Sequence, residues 1–482
     1  MLRRLPLALT LPALALAGCS VGPDYRPSTA AQLGVPDAYS VPAPPGPQID
    51  LTRWWSQFDD PLLGELVETA SQDNLDIGQA IARLRQAREA LFQARGSLLP
   101  SLSASGGYSR RQNLVGGTNT VQLPDGTIIE TGSGSSDNFS IGGDASYQVD
   151  LFGGVRRSIE GASASYEASA YDLASVRTAI QGEVARNYVL ARTAQAQLAN
   201  ARASLAIQDD NLEIAGFRVQ AGLVSSLDAE QARSQRAATA ATIPSLEQSY
   251  AQSVARLGVL TGQAPGALRP RLEAPLPIPQ GPQAIAVGIP AETLRQRPDV
   301  RAAERQLAAA MAQVGVAAAQ LYPALSISGG IDTNATAITR IGDLVTGSLF
   351  AGLSQLIFDG GRTRSQVRAQ EAAADAAFLA YRQTVLIALE DIENAIVALN
   401  TADARIREIT IQLDAAETSA ILSRTQYRAG LTDFTTLNQI ESTLLQARNS
   451  LTQAQSDRTT ALVQLFGALG GGWDSTNPVP VE

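Results

Sequence analysis

Few side chains in this sequence could serve as catalytic groups. Cys19 is the only cysteine, and the chain has no histidine that could activate a thiol or bind zinc. Glu390, Asp391 and Glu393 are close in sequence, but they fall in a helical pattern with polar neighbours, which is typical of a solvated helix face. We find no nucleophile-elbow, phosphate-loop or paired-cysteine zinc motif. The sequence therefore predicts no enzyme, no metal site and no cofactor.

The residues around Cys19 indicate a different use for its thiol. Arg3 and Arg4 precede an apolar run, residues 5–17, that is too short to span a bilayer and ends in small residues. This pattern predicts an export signal, residues 1–18, with an uncleaved membrane anchor as the alternative. The sequence Leu-Ala-Gly-Cys resembles the lipobox of bacterial lipoproteins. That resemblance implies a covalent lipid on Cys19, and Ser20 beside it implies sorting to the outer membrane.

Charge and composition exclude one large class of partners. The formal net charge is -9 and the pI is about 4.9, so the chain has no basic field to attract nucleic acid. Aromatic residues make up only 5% of the sequence, whereas alanine, leucine, glutamine and serine dominate it. Such a composition favours long, closely packed helices over several ordinary cores.

The chain contains an internal tandem repeat. "LPSLSASGG" at 99–107 matches "YPALSISGG" at 322–330, a shift of 223 residues. Further along, the shift settles near 208, where the Ala-Gly-Leu at 221–223 matches the same triplet at 429–431. The first copy therefore carries about 16 extra residues between Gly107 and Gly153.

Both copies change their hydrophobic period in the same order. A helical pattern comes first, and four segments then fit strands, two in each copy, at about 101–113, 138–151, 324–334 and 344–357. The stretch between the first two reads as a loop. Two very long helices follow at about 155–218 and 362–427, each reversing at a glycine, Gly222 or Gly430, into a returning helix of about 35 residues.

The predicted strands are long enough to cross a membrane, where a sheet must close into a barrel. Four strands cannot close a barrel, and open sheet edges in lipid would leave backbone groups unpaired at several kcal/mol each. We therefore expect the barrel to be shared among several chains. A soluble two-sided sheet and an extended coiled coil without a channel are the alternatives.

These features together resemble the TolC-like outer-membrane factors, and within them the NodT-type lipoproteins that serve resistance-nodulation-division efflux pumps. The motifs that carry the resemblance are "WWSQFDDPLLGELVETA" at 54–70, "LGVLTGQAPG" at 257–266 and "GIPAETLRQRPDVRAAERQLAAA" at 288–310. The resemblance implies an α+β membrane protein. Three chains would form one twelve-stranded β-barrel, four strands from each, continuous with a long periplasmic α-helical barrel.

The resemblance also sets the expected division of the chain and its partners. The expected segments are a signal peptide at 1–18, an extended N-terminal segment at 19–60, a first repeat at 61–262, an equatorial linker at 263–287, a second repeat at 288–470 and a tail at 471–482. The expected function is a passive exit duct for drugs or other small molecules, supplied by an inner-membrane pump and a periplasmic adaptor. A structural or adhesive lipoprotein, or the same duct serving protein secretion or metal efflux, are the alternatives.

The same resemblance identifies the helix turns as the periplasmic tip. It implies that the tip docks the adaptor through Gly222, Leu223, Gly430 and Leu431. It further implies a gate tie between the two hairpins, a hydrogen bond from Tyr427 to Asp228. The acidic ring found in many relatives is missing, because Thr436 and Gln439 stand six and nine residues after Gly430.

Overall fold

The computed structural model describes residues 20–42, 46–47, 49–112, 114, 119–131 and 135–475. The expected signal peptide and Cys19 lie outside the described residues. The α-helices of seven or more described residues are α1 Pro61–Asp73, α2 Leu75–Gly96, α3 Gly154–Gln220, α4 Ser226–Leu260, α5 Pro290–Gln296, α6 Pro298–Ala319, α7 Arg362–Arg428 and α8 Phe434–Ala468. The strands are β1 Ser101–Gln112, β2 Asn119–Gln122, β3 Ile128–Thr131, β4 Ser135–Val149, β5 Ala324–Ala335 and β6 Val345–Ser354. Shorter helical turns lie at Ala30–Leu33, Trp54–Phe58, Arg269–Leu272 and Ile338–Arg340.

The chain divides into two compact units. The described residues of the first, here called the strand unit, lie within 20–26, 87–165 and 307–377. The second, the helical unit, takes residues 27–86, 166–306 and 378–475, apart from the undescribed positions. Both copies of the repeat contribute to each unit.

The strand unit holds a four-stranded antiparallel sheet in the order β1-β4-β5-β6. Its central pair, β4 with β5, joins the two copies of the repeat, with partners running from Phe139 opposite Ala335 to Val149 opposite Leu325. The prediction of four strands per chain is therefore confirmed. Among the described residues, β1 and β6 pair on one side only, so the sheet has two open edges.

The segment between β1 and β4, predicted to be a loop, contains a short ribbon instead. β2 and β3 pair antiparallel, with Gln122 opposite Ile128. The turn between them contains Asp125, whose carboxylate accepts a hydrogen bond from the backbone N–H of Thr127 at 3.0 Å, and Gly126 at φ +86°. Proline, aspartate and glycine in succession are strong turn residues, and they explain why the chain reverses here.

The long helices match the predicted pattern closely. α3 and α7 contain 67 residues each, and the returning helices α4 and α8 contain 35 each. Within the described residues, no helix combines the length and the hydropathy that a membrane span requires.

An aromatic cluster organises the core of the helical unit. Trp54 is 1% exposed and stacks on Phe466 of α8, with 5.4 Å between the ring centroids. Phe58 meets both rings edge to face. Leu63 and Leu66, on the buried face of α1, belong to the same core. The N-terminal segment is thereby fixed to the last helix of the chain by apolar packing.

A series of polar contacts between side chains supports this core. The carboxylate of Asp60 caps α1 by accepting from the backbone N–H of Leu62 at 3.0 Å, and it also accepts the Tyr188 hydroxyl at 2.7 Å. Burial raises the pKa of Tyr188, so its hydroxyl remains a donor. The fully buried guanidinium of Arg192 lies 4.9 Å from the centre of the Tyr188 ring and donates to the Ala274 carbonyl at 2.9 Å. Side chains of α3 thus bind the start of α1 and the linker.

Candidate functional site at the helix turns

The first helix turn follows α3 and is closed by a Schellman motif. The N–H of Leu223 donates to the Arg218 carbonyl at 2.9 Å, and the N–H of Gly222 donates to the Val219 carbonyl at 2.9 Å. Gly222 has φ +68°, in the left-handed region. Glycine adopts this conformation without the steric penalty of a side chain.

The second helix turn, after α7, repeats this geometry. Leu431 donates to the Gln426 carbonyl at 2.9 Å, Gly430 donates to the Tyr427 carbonyl at 3.0 Å, and Gly430 has φ +77°. The leucine after each glycine remains in solvent, with Leu223 70% exposed and Leu431 78% exposed. Two matched turns therefore present one exposed leucine each.

The returning helices begin with ordinary side-chain caps. Ser225 Oγ accepts from the N–H of Leu227 at 3.2 Å at the start of α4. Asp433 Oδ1 accepts from the N–H of Thr436 at 2.7 Å at the start of α8, and this hydrogen bond lowers the pKa of Asp433. The Asp433 carboxylate therefore serves as a helix cap, and no group of three potential metal ligands occurs in the described part of the chain.

Arg218 connects the two turns. Its Cζ lies 4.7 Å from the centre of the Tyr427 ring, and its Nη1 donates to the Tyr427 carbonyl at 3.2 Å. That carbonyl also accepts the N–H that closes the second turn. A Cβ at Gly430 would lie 3.2 Å from Nη2 of Arg218, so glycine also leaves room for the guanidinium.

Tyr427 is the centre of a small apolar cluster beneath the turns. It is 1% exposed and meets Phe434 edge to face at 5.9 Å between centroids. The other buried members are Ala215, Ala232 and Leu437. These five side chains come from α3, α4, α7 and α8, so the cluster packs the ends of all four helices together.

The predicted gate tie, a hydrogen bond between Tyr427 and Asp228, is not formed within the single chain. The Tyr427 hydroxyl is buried and has no hydrogen-bond partner among the described residues. The ring packs inside the apolar cluster, with the guanidinium of Arg218 over its face. Asp228 instead lies in the first turn of α4, where a carboxylate interacts favourably with the helix dipole.

Sequence reasoning identified both turn glycines and missed Arg218. The missed signal is an arginine four residues before Gly222, in the last turn of a helix, where cations are favoured. The repeat also differs between copies at this place: Arg218 corresponds to Gln426, and Val219 corresponds to Tyr427. The connection uses one residue from each copy, so the two copies are complementary here.

Long paired helices closed by matched turns, together with an open four-stranded sheet, define the class of the protein as an outer-membrane channel subunit. The profile of the family described as "Outer membrane efflux protein" matches residues 66–263 and 289–471. The chain belongs to this family, and the resemblance to NodT-type efflux proteins is confirmed.

The similarity to known proteins extends over nearly the whole chain. Nodulation protein T of Rhizobium leguminosarum bv. trifolii is 30% identical over 477 residues, covering 97% of this chain and 96% of that protein. The pyoverdine export outer membrane protein OpmQ of Pseudomonas aeruginosa is 33% identical over 429 residues, covering 88% of each. A solved structure of the outer-membrane channel OprN superposes with a TM-score of 0.84 at 33% identity, covering 94% of this chain and all of that one. The Campylobacter jejuni CmeC channel has a TM-score of 0.84 at 22% identity, covering 95% and 97%, a likeness in fold.

The family settles the general function. The protein is an outer-membrane efflux channel of the kind found in tripartite efflux pumps, in a family of trimeric channels, and it is not an enzyme. The alternative, a non-transporting structural or adhesive lipoprotein, is thereby set aside.

Proposed function

We propose that three copies of this chain form a passive exit duct for drugs or other small molecules. An inner-membrane pump would drive transport and a periplasmic adaptor would join the pump to the duct. The observation that carries the proposal is the pair of open edges on the sheet, β1 and β6. If β6 of each copy pairs with β1 of the next, three four-stranded sheets close into one twelve-stranded barrel and no edge remains.

The exposed apolar side chains of the sheet support its insertion in lipid. Large apolar side chains on each of its strands are exposed, among them Leu102, Ile141, Ile331 and Leu349. Exposed apolar residues on an isolated soluble sheet would promote aggregation, whereas lipid accommodates them. Strands of 10 to 15 residues are long enough to cross the hydrocarbon layer when tilted.

Adaptor docking is assigned to the helix turns. Leu223 and Leu431 offer exposed apolar contacts, and a groove beside them carries both charge signs from Asp210, Glu213, Arg218 and Arg428. Exposed leucines within a polar surround are a common form of protein interface. Photocrosslinkers at Leu223 and Leu431 are expected to capture the adaptor. The same crosslinker at Leu276, a partly exposed linker leucine, serves as the control and is expected to capture none.

A covalent lipid on Cys19 completes the proposed localisation, an outer-membrane protein that is both lipid-anchored and inserted through its barrel. One acylated residue gives limited anchoring, so the barrel would hold the trimer in the membrane. We expect Cys19→Ala, exported through a non-lipoprotein signal, to give membrane-inserted trimers. A soluble monomer would contradict this assignment. The mass of the N-terminal peptide tests acylation directly.

Conductance tests the duct itself. Purified trimers in a planar bilayer are expected to pass ion current, whereas a sealed particle would overturn the proposal. Cargo requires a separate experiment, because similar proteins are named for pyoverdine export, toluene efflux and nodulation. Deleting this gene and the gene of its pump together is expected to raise the intracellular drug level. Restoring either gene alone is expected to leave that level high, and restoring both is expected to lower it. Retention of a secreted protein or a metal ion instead would support the alternative ducts.

A further inference from the structure

The described chain begins with a short segment, residues 20–26, that is held by one buried arginine. Arg157, in the first turn of α3, is 5% exposed. Its Nε donates to the Val21 carbonyl at 3.3 Å, its Nη2 forms an ion pair with Asp24, and its Nη1 binds Glu160 at 2.7 Å. Two of these three partners, Val21 and Asp24, belong to residues 20–26.

Backbone contacts align the segment with the corner between β4 and α3. The N–H of Val21 donates to the Phe152 carbonyl at 3.2 Å. Gly153, the next residue of the corner, has φ +78°, and a Cβ there would lie 2.7 Å from Ser20 Oγ. The segment therefore passes this corner at a distance that leaves no room for a larger residue at 153.

Two further glycines let the segment reach the second copy of the repeat. A Cβ on Gly22 would lie 2.5 Å from the Cα of Gly315 in α6, and Gly22 has φ +97°. A Cβ on Gly315 would in turn lie 2.8 Å from Cγ of Arg157. Gly315 is thus packed between Gly22 and Arg157, and neither glycine has room for a Cβ. The segment binds both α3 and α6, within the strand unit.

The charge pattern distinguishes Arg157 from the arginine beside it. Burying a guanidinium is costly unless its donors are paired, and Arg157 meets this requirement with a backbone carbonyl and two carboxylates. Arg156 is far more exposed and pairs with Asp150 at 3.2 Å, close to it in the chain. Arg157 also lowers the pKa of Asp24 by hydrogen bonding, so the pair stays ionised at neutral pH.

We propose that Arg157 is a positioning residue that binds residues 20–26 to the strand unit, a contact called the mooring below. The mooring would fix where the lipid-bearing N terminus of the mature chain meets the membrane. The second part rests on the proposed acylation of Cys19. Seven unmoored residues could extend up to about 24 Å, nearly the thickness of the hydrocarbon layer of about 30 Å. Mooring removes that freedom and holds the anchor beside the β4–α3 corner.

Hydrogen exchange of the intact trimer in lipid nanodiscs tests the mooring. In the unmodified protein we expect the Val21 amide to be protected. Arg157→Gln is expected to speed exchange in the peptide covering residues 20–26 at least tenfold, and Arg157→Lys to give a smaller increase, because lysine keeps the charge without the planar set of donors. Arg156→Gln is the matched control and is expected to leave this peptide unchanged. Unchanged exchange in Arg157→Gln trimers would overturn the proposal.

A second variant acts from the segment itself in case Arg157→Gln trimers do not assemble. Gly22→Ala leaves α3 intact but collides with Gly315, so we expect the same loss of protection. Gly78→Ala, where a Cβ meets no atom within 4 Å, is its control. Retained protection in Gly22→Ala would also overturn the mooring. The mass of the N-terminal peptide is measured in the same experiment: a peptide without lipid would refute the acylation and leave the mooring intact.

Discussion

The guanidinium of Arg218 lies over the ring of Tyr427 and donates a hydrogen bond to the carbonyl oxygen of the same residue. The carbonyl of Arg218 closes the first helix turn, and the carbonyl of Tyr427 closes the second. The two turns cannot separate without breaking the contact between these residues. Any motion that separates the two turns must therefore remove a cation–π contact and a hydrogen bond together.

Removing the Arg218 side chain is expected to weaken the connection between the two helix turns. A cation–π contact contributes about 0.5–2 kcal/mol and a hydrogen bond about 1 kcal/mol. Arg218→Ala should therefore speed hydrogen exchange in residues 428–434 and raise single-channel conductance. Arg236→Ala is the matched control, because Arg236 pairs with Asp209 at an exposed site between α3 and α4. Equal effects of the two variants would contradict the assigned role of Arg218.

Two substitutions of Tyr427 separate its ring from its hydroxyl. Because the hydroxyl has no partner among the described residues, Tyr427→Phe is expected to change the free energy of unfolding by less than about 0.5 kcal/mol. Tyr427→Ala empties the centre of the apolar cluster and should cost about 3–5 kcal/mol. Thermal unfolding of the trimers measures both. A large loss of stability in Tyr427→Phe would instead indicate a hydrogen bond to the hydroxyl in the assembled channel.

The two turn glycines are expected to differ in their tolerance of alanine. Both have positive φ, so each alanine should cost about 1–2 kcal/mol. At Gly222 a Cβ meets no atom within 4 Å, whereas at Gly430 it also crowds Arg218. Gly430→Ala should therefore destabilise the trimer more than Gly222→Ala and should also speed hydrogen exchange at the second helix turn.

Alanine at a helical glycine provides the control for this comparison. Gly216 lies within α3, and a Cβ there meets no atom within 4 Å. Gly216→Ala should raise stability by about 0.5–1 kcal/mol, because it removes backbone freedom from the unfolded chain. Equal losses at Gly222 and Gly430 would show that the contact with Arg218 does not restrict position 430.

Periodicity was enough to predict the long helices, the four strands and the position of both turns. The apolar and polar residues of β4 alternate, and each long helix stops at a glycine that can adopt positive φ. Side-chain pairings between distant segments could not be obtained in this way. The Arg218–Tyr427 contact joins residues 209 positions apart, and no local pattern indicates which of two helix ends an arginine will reach. The ribbon of β2 and β3 was missed for a different reason, because its two strands have only four residues each and the sequence on both sides of the ribbon is rich in loop-forming residues.

Acid should weaken the start of α7 through a single carboxylate. Asp359 accepts from the backbone N–H and the hydroxyl of Thr363, at 2.7 Å and 2.6 Å, and from the N–H of Gly361 at 2.9 Å. These hydrogen bonds, led by the Thr363 hydroxyl, lower the pKa of Asp359 to about 2. In an unfolded chain the pKa of an aspartate is about 3.9, so the cap stabilises the protein above that pH and loses its effect as the pH falls toward 2.

Asp359→Asn tests this dependence, because asparagine can still cap the helix but does not titrate. We expect the unfolding temperature of the unmodified trimer to fall more steeply between pH 4 and pH 2 than that of Asp359→Asn. Asp359→Ala should lower the unfolding temperature at neutral pH as well, because it removes the acceptor altogether. If the unmodified and Asp359→Asn proteins lose stability in parallel below pH 4, other carboxylates control the acid response and the Asp359 cap does not.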